Sequence, residues 1–234
     1  MIYELAHLIK NRFPFLWDVI EWGNSAAFFV VNRKKLRALD ATVAEGLPSD
    51  LTMKMLQECD VEPLYEFFSE QPEDSFKFFH PHGFDKRSLR KVVRDKSFLA
   101  FALRDVAEAN EPIVGYAFMR SFVNGASYRG YMVDCRHRGQ GLAKIMGLGM
   151  NRVGDALGLT MYKSISPDNP ASMKVTQAVC DTKTVRRLDN GDYLLRCMSK
   201  KCEDEKLMGG GRTLAHELKS YEAFRPQMEC CYAA

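Results

Sequence analysis

Residues 131–158, YMVDCRHRGQGLAKIMGLGMNRVGDALG, constrain the fold more than any other stretch. They begin as a strand, pass through a basic turn at Arg138-Gly139-Gln140-Gly141-Leu142-Ala143, and continue as an amphipathic helix. Leu142, Ile145, Met146, Gly149, Met150, Val153 and Leu157 recur at helical spacing and form one apolar stripe to lay on a sheet. Gly158 supplies the stop. Gly147, Gly149 and Gly154 each weaken such a helix by about 1 kcal/mol relative to alanine, a cost that close approach of a sheet or a ligand would explain.

The turn itself reads as an anion site. Glycines beside a helix start let backbone N–H groups face outward, and the helix dipole favours negative charge there. Arg136, His137 and Arg138 add donors, so a phosphate or pyrophosphate suits the turn. The spacing G-x-G-x-A, past mid-chain, does not match a dinucleotide fingerprint, and the G-x-x-x-x-G-K-[ST] loop is absent.

The rest of the chain alternates strands and helices. Leu51–Gln57 reads as a strand, followed by a helix capped at Asp60 and a second starting at Asp85. Strands follow at Ser97–Leu103, Ile113–Arg120 and Ser127–Val133. After the long helix come a strand at Leu159–Ile165 and a helix capped by Asn169 with Pro170 in its first turn. A hairpin turns at Asn190-Gly191. The order β-α-α-β-β-β-α-β-α-β-β predicts a mixed α/β fold with a largely antiparallel central sheet.

Both the turn and this order resemble the GNAT-type acetyltransferases. Arg138, Gly141 and Ala143 fill the fixed positions of that family's R/Q-x-x-G-x-G/A signature, and the strand–helix order matches from about residue 49 to 198. The resemblance implies a GNAT-like acyl-CoA N-acyltransferase fold over 49–198 and acetyl-CoA as co-substrate, with no metal. It places the coenzyme A pyrophosphate on Arg136, Arg138, Gly139, Gln140, Gly141, Leu142 and Ala143. It also implies that the strand before the turn is splayed from its neighbour and pairs with the pantetheine arm, through Val133 and Cys135 by position. Asn169 would lie near that arm. The resemblance further implies direct transfer in a ternary complex; the wide aromatic loop at 76–84 points to a small amine such as an amino sugar as acceptor, with an alcohol as the alternative. One departure stands out: seven residues after the Asn, where the family often has a Tyr acid, the chain has Thr176.

Candidates for proton removal come from the loop F-F-H-P-H-G-F, with His80 and His82 as bases and Phe79 and Tyr116 beside them against the acceptor. Asp134 is a third candidate, or a counter-charge to Arg136 and Arg138. Histidines held by backbone bonds are the plainer alternative. Without the Tyr acid, a non-catalytic CoA-binding or scaffold protein is the competing reading.

Composition narrows the partners. A net charge of +3 is too small to argue for nucleic acid. Seven cysteines, an odd number with no C-x-x-C pair, point to reduced thiols in a cytoplasm and to no metal framework. The chain reads without a signal peptide. The run Ala26–Val31 is far short of the ~20 residues of a spanning helix. Residues 1–48 form an extension in which Phe13, Phe15, Leu16, Trp17, Ile20 and Trp22 precede Arg33, Lys34, Lys35 and Arg37. Segment 13–37 either packs on the domain or on a second copy in a homodimer, or lies on a membrane surface as part of an acyltransferase using longer acyl chains. Residues 199–234 form a second extension with a Gly209–Gly211 linker and a short helix.

Overall fold

The computed structural model describes residues 14–200, with side chains from Asp18 onward. Residues 1–13, the side chains of Pro14 to Trp17 and the whole 201–234 segment with its expected short helix lie outside the described residues. Two helices, α1 (Pro14–Leu36) and α2 (Leu39–Ala44), lead into strand β1 (Leu51–Met55). Helices α3 (Val61–Ser69) and α4 (Lys86–Arg94) follow, then strands β2 (Phe98–Asp105), β3 (Ile113–Ser121) and β4 (Ala126–Val133). After β4 come α5 (Leu142–Leu157), β5 (Thr160–Ile165), α6 (Pro170–Val179), β6 (Cys180–Arg187) and β7 (Tyr193–Ser199).

Two of the three predicted caps form; Asp60 precedes α3 but its carboxylate accepts from Gln57 N–H and Arg104 rather than from the helix. Asp85 accepts from the N–H groups of Arg87 and Ser88 at the head of α4, and Asn169 accepts from Ser172 N–H at the head of α6. The Asn190-Gly191 turn joins β6 to β7, with Gly191 at φ 89°.

The strands form one seven-stranded sheet in the order β1-β2-β3-β4-β5-β7-β6. Every neighbouring pair is antiparallel except β4 and β5, which run parallel. That exception follows from connectivity, since α5 carries the chain back across the sheet between them. One face of the sheet is covered by α1, α2 and α5, whose Phe28, Leu39, Val43, Met146, Met150 and Val153 pack with Met53, Leu99, Phe101 and Met119. The other face is covered by α3 and α4, where Leu64, Phe67, Phe68, Leu89 and Val92 pack with Phe98, Tyr116 and Phe118.

The core starts earlier in the chain than the expected boundary at residue 49. Phe28, Leu39 and Val43 are all at most 1% exposed within the shared cluster, so residues before 48 complete the domain's interior. The glycines of α5 find their reason here. A Cβ on Gly149 would stand 3.1 Å from both the side chain and the carbonyl oxygen of Val43, and one on Gly147 would stand 3.0 Å from Val179. Close helix approach, on α2 and α6, offsets their cost in helix propensity.

Candidate active site

The site grows out of the one place where the sheet comes apart. The ladder between β4 and β5 holds only three pairs, Ala126 with Thr160, Ser127 with Met161, and Tyr128 with Tyr162. Beyond them β4 stays bonded to β3 alone, and β5 to β7 alone. Asp134 N–H donates to the Val114 carbonyl oxygen at 3.0 Å, so the even-numbered residues of β4 turn their backbone groups toward β3. By alternation, the N–H and C=O groups of Arg129, Tyr131 and Val133 face the opening.

At the mouth of that opening lies the glycine turn. Gly139 and Gly141 both adopt the left-handed region, at φ 80° and 82°. Gly141 is the N-cap of α5, and its carbonyl oxygen accepts from Lys144 and Ile145 N–H. This geometry presents the first N–H groups of a sixteen-residue helix outward, the arrangement an anion needs. Arg138 reaches across to donate to Ser75 Oγ at 2.6 Å, which ties the turn to the loop after α3. Leu142 is buried in the core, so only its backbone can serve a ligand.

Beneath the turn, Asp134 is fully buried and anchors a network. Its carboxylate accepts from Arg136 N–H at 2.8 Å, from the Arg136 guanidinium at 2.9 and 3.0 Å, from Gln71 Nε2 at 3.0 Å and from His137 Nδ1 at 3.2 Å. Burial alone would raise this carboxyl, but these donors outweigh it and hold it well below the usual carboxylate range. Such a group is a counter-charge and a strut, so Asp134 is corrected from candidate base to support of the turn. Gln71 passes the support on, because its Oε1 accepts the Cys135 N–H at 3.0 Å. The Cys135 amide is therefore committed within the protein, and Tyr131 joins Val133 on the open edge in its place.

The two loop histidines part company. His82 Nδ1 donates to its neighbour Gly83's carbonyl oxygen at 2.9 Å, so its Nε2 accepts from the Tyr116 hydroxyl at 2.8 Å. Its ring sits edge-on among Phe68, Phe84, Phe98 and Tyr116. Burial pulls it down to about 4, and its only basic lone pair is occupied. His82 and the fully buried Tyr116 are thus a core pair rather than a base and an acceptor contact. Their expected roles fail because the aromatic loop packs inward as part of the α3–α4 cluster.

His80 instead is exposed and lines a cleft of about 540 Å³ with Phe78 and Phe79. This cleft runs from the turn, at Arg138 and Ala143, along Gly130 to Val133 of β4, and across to Lys163–Ser166, Asn169 and Ser172. Asp74 and Asp192 bring carboxylates to its walls. Gly130 lets the Phe118 ring cover the floor, since a Cβ there would meet the ring at 2.5 Å. Lys163, Arg129 and Tyr131 belong to the site although sequence reasoning passed over them. For the two cations the signal was an ion in the inward register of a strand: Lys163 shares a face with Met161 and Ile165, and Arg129 with Ser127 and Tyr131.

Solved structures share this fold. The GNAT domain of S. lividans PAT superposes with a TM-score of 0.52 at 15% identity, over 62% of this chain and 89% of its own. AAC(6')-Ib in complex with paromomycin and acetyl-CoA superposes at 0.51 and 12% identity, over 69% of this chain and 100% of its own. Spermidine N-acetyltransferase from Vibrio cholerae, in complex with CoA and spermine, superposes at 0.51 and 15% identity, over 64% and 94%. No protein-family model and no curated protein sequence matches the chain. The fold is therefore that of the GNAT-type acetyltransferases.

Proposed function

We propose that this chain transfers an acetyl group from acetyl-CoA directly to a small amine in a ternary complex. One observation carries the reading: the β4–β5 ladder stops at Tyr128–Tyr162 and leaves a gap along β4 whose mouth carries a left-handed glycine turn at a helix start. An extended arm bearing a pyrophosphate fits such a gap. The amides of residues 139–143 with Arg138 would hold the pyrophosphate, and the open edge at Tyr131 and Val133 would pair with the arm. Asn169 borders the same cleft. CoA supplies an activated thioester. The protein's own residues orient it, keep water from the β4–β5 gap and receive the acceptor.

The acceptor side supports an amine. Asp74 and Asp192 attract a cation, while Phe78 and Phe79 offer apolar cover. The neighbours bound to paromomycin and to spermine support the same class. His80, exposed on this wall, is the base within reach of the acceptor. Calorimetric titration with acetyl-CoA, followed by free-thiol release over a panel of amines and alcohols, tests the reading. His80→Gln should lower turnover by roughly 10²–10⁴-fold, with the loss shrinking as pH rises and the free amine becomes abundant unaided. A chain that binds acetyl-CoA yet releases no thiol with any acceptor is a CoA-binding scaffold instead.

A second reading concerns location, and α1 favours it. Trp22, Val30 and Val31 are 72%, 68% and 73% exposed, and Arg33, Lys34 and Arg37 follow them. Among the described residues no helix is long and apolar enough to cross a membrane. An exposed aromatic and aliphatic face ending in cations fits the surface of anionic lipid, where longer acyl-CoA donors are at hand. Truncation is a poor test, because it would remove Phe28 from the core. Trp22→Glu combined with Val30→Glu should abolish flotation with phosphatidylserine vesicles and leave the melting temperature unchanged. Equal flotation of variant and wild type would remove the reading, and a concentration-dependent mass would assign the face to a second copy.

A further inference from the structure

Lys163 is the residue of the site whose placement the fold does not explain. It stands on β5 immediately after the last pair that joins β5 to β4, it is 6% exposed, and it lines the cleft. Its Nζ donates to Thr176 Oγ1 at 3.3 Å and lies 3.8 Å from the centroid of the Tyr131 ring. Among the described residues it makes no ion pair. An ammonium buried with one hydroxyl and one ring face is costly unless an anion joins it.

A second cation deepens the deficit. Arg129, 1% exposed, lies at the closed end of the same gap. Its guanidinium bonds to Asn151 Oδ1 and, at 2.9 Å, to Cys180 Sγ, while its Nε has no partner. The Cys180 thiol is drawn below its ordinary value, first by a hydrogen bond with Cys197, against its burial, and then by Arg129. Sulfur thus answers the charge of Arg129 in part. No comparable group answers Lys163. Tyr131 from β4 and Thr176 from α6 touch Lys163, and Cys197 of β7 lies within reach of the charges of both Lys163 and Arg129.

Thr176 stands where the resembled family often has its acid, yet its one proton is spent. Its Oγ1 donates to the Ser172 carbonyl oxygen at 2.7 Å, so toward Lys163 it can only accept. It cannot donate to a departing sulfur. It can aim the ammonium that does.

We infer that Lys163 Nζ is the group that stabilises the negative charge left on the CoA sulfur, in place of the hydroxyl acid that Thr176 cannot provide. The inference rests on the CoA reading of the cleft. In the step, the acceptor nitrogen forms a bond to the carbonyl carbon and the carbon–sulfur bond breaks. Its electron pair goes to sulfur, which Lys163 meets with a charge-assisted hydrogen bond. The nitrogen's surplus proton leaves through the base, and the sulfur takes a proton from Lys163, which solvent restores. The arm enters at the turn and runs toward the closed end of the gap, so its sulfur end arrives where Lys163 waits.

The test needs no acceptor. The thiol of CoA bound to the protein is titrated by thiolate absorbance, as a difference against the complex with desulfo-CoA, which cancels the protein's own cysteines. In the wild type the bound thiol should titrate about 1–2 pH units lower than in Lys163→Met, the effect of one nearby cation. Lys163→Arg should keep most of the shift, and Thr176→Val, which only frees the ammonium, should lose part of it. CoA affinity should be close to wild type in all three. Lys163→Met should melt no lower than wild type, since it removes a buried charge. With an accepted amine, its kcat should fall by roughly 10²-fold at unchanged KM for acetyl-CoA. Equal thiol titration in wild type and Lys163→Met, with CoA bound to both, overturns the role of Lys163 alone. No CoA binding to the wild type overturns the reading of the cleft and this inference with it.

Discussion

Gly141→Val should lose at least about 100-fold in affinity for acetyl-CoA while the domain stays folded. The residue sits at φ 82°, and a Cβ there would have nothing within 4 Å. Collision is therefore not the cause. An L residue in this region is strained by about 1–2 kcal/mol, and a β-branched one by more. The turn relieves that strain by rotating its backbone, which swings the N–H groups of residues 139–143 off the position of the anion. Each lost charge-assisted bond is worth about 1.5–3 kcal/mol, so two of them exceed a hundredfold. Gly158 provides the control. It too is left-handed, at φ 72°, but it closes the far end of α5. Gly158→Val should lower the melting temperature and leave affinity intact. If calorimetry gives Gly141→Val wild-type affinity, the turn is not the pyrophosphate site.

Asp134→Ala should be the most destabilising single change near the site. It strips one carboxylate from five donor contacts and leaves Gln71 Nε2 with the Phe67 carbonyl oxygen alone, which loosens the side chain that holds the Cys135 N–H. Removing one member of a buried charged network costs about 3–5 kcal/mol. Because the Arg136 side chain is 62% exposed and can turn to water, the lower end is expected. The pH dependence has a definite sign. The folded carboxyl is held below its unfolded value, near 4 by the usual scale, so its contribution is fully present above that value. It declines as pH falls below about 4 toward the depressed folded value. His82 adds a second acid sensitivity: its folded value of about 4 lies under the ordinary 6.5, so its stabilisation is complete above 6.5 and fades as pH falls toward 4. Denaturant unfolding from pH 7 to pH 3 should show the Asp134→Ala penalty shrinking at the acid end. A penalty below 1 kcal/mol at pH 7 would mean that the network does not hold the turn.

The local features of this fold were legible in the chain. The stripe from Leu142 to Leu157, the Asn169-Pro170 cap and the Asn190-Gly191 hairpin depend on neighbours within a few residues, and each formed as read. The α1 helix was not legible as one element. Gly23, Asn24 and the β-branched Val30 and Val31 lower its propensity, and tertiary packing of Phe28 overrides them. The end of the β4–β5 ladder leaves no local trace either, because it is pairing between strands separated by a helix; the splayed strand was expected only through the family resemblance, and the ladder does stop after three pairs. The aromatic loop misled for a related reason: a run of rings and histidines has the same composition whether it lines a cleft or fills a core. His80 went to the cleft and His82 to the core, two residues apart, with Pro81 buried between them.

The short parallel ladder makes the sheet a structure of two plates with a fault line. One plate carries β1 to β4 and the other β5, β7 and β6; three backbone pairs, the α5 crossover and side-chain links such as Arg129 to Cys180 and Lys163 over Tyr131 rivet them together. Backbone amides along that line should exchange sooner than those inside either plate. A ligand lying in the gap and bonded to both banks adds the missing rivets. Occupancy would then show as stiffness, because a molecule held by both plates draws the seam shut and stabilises the folded chain by mass action.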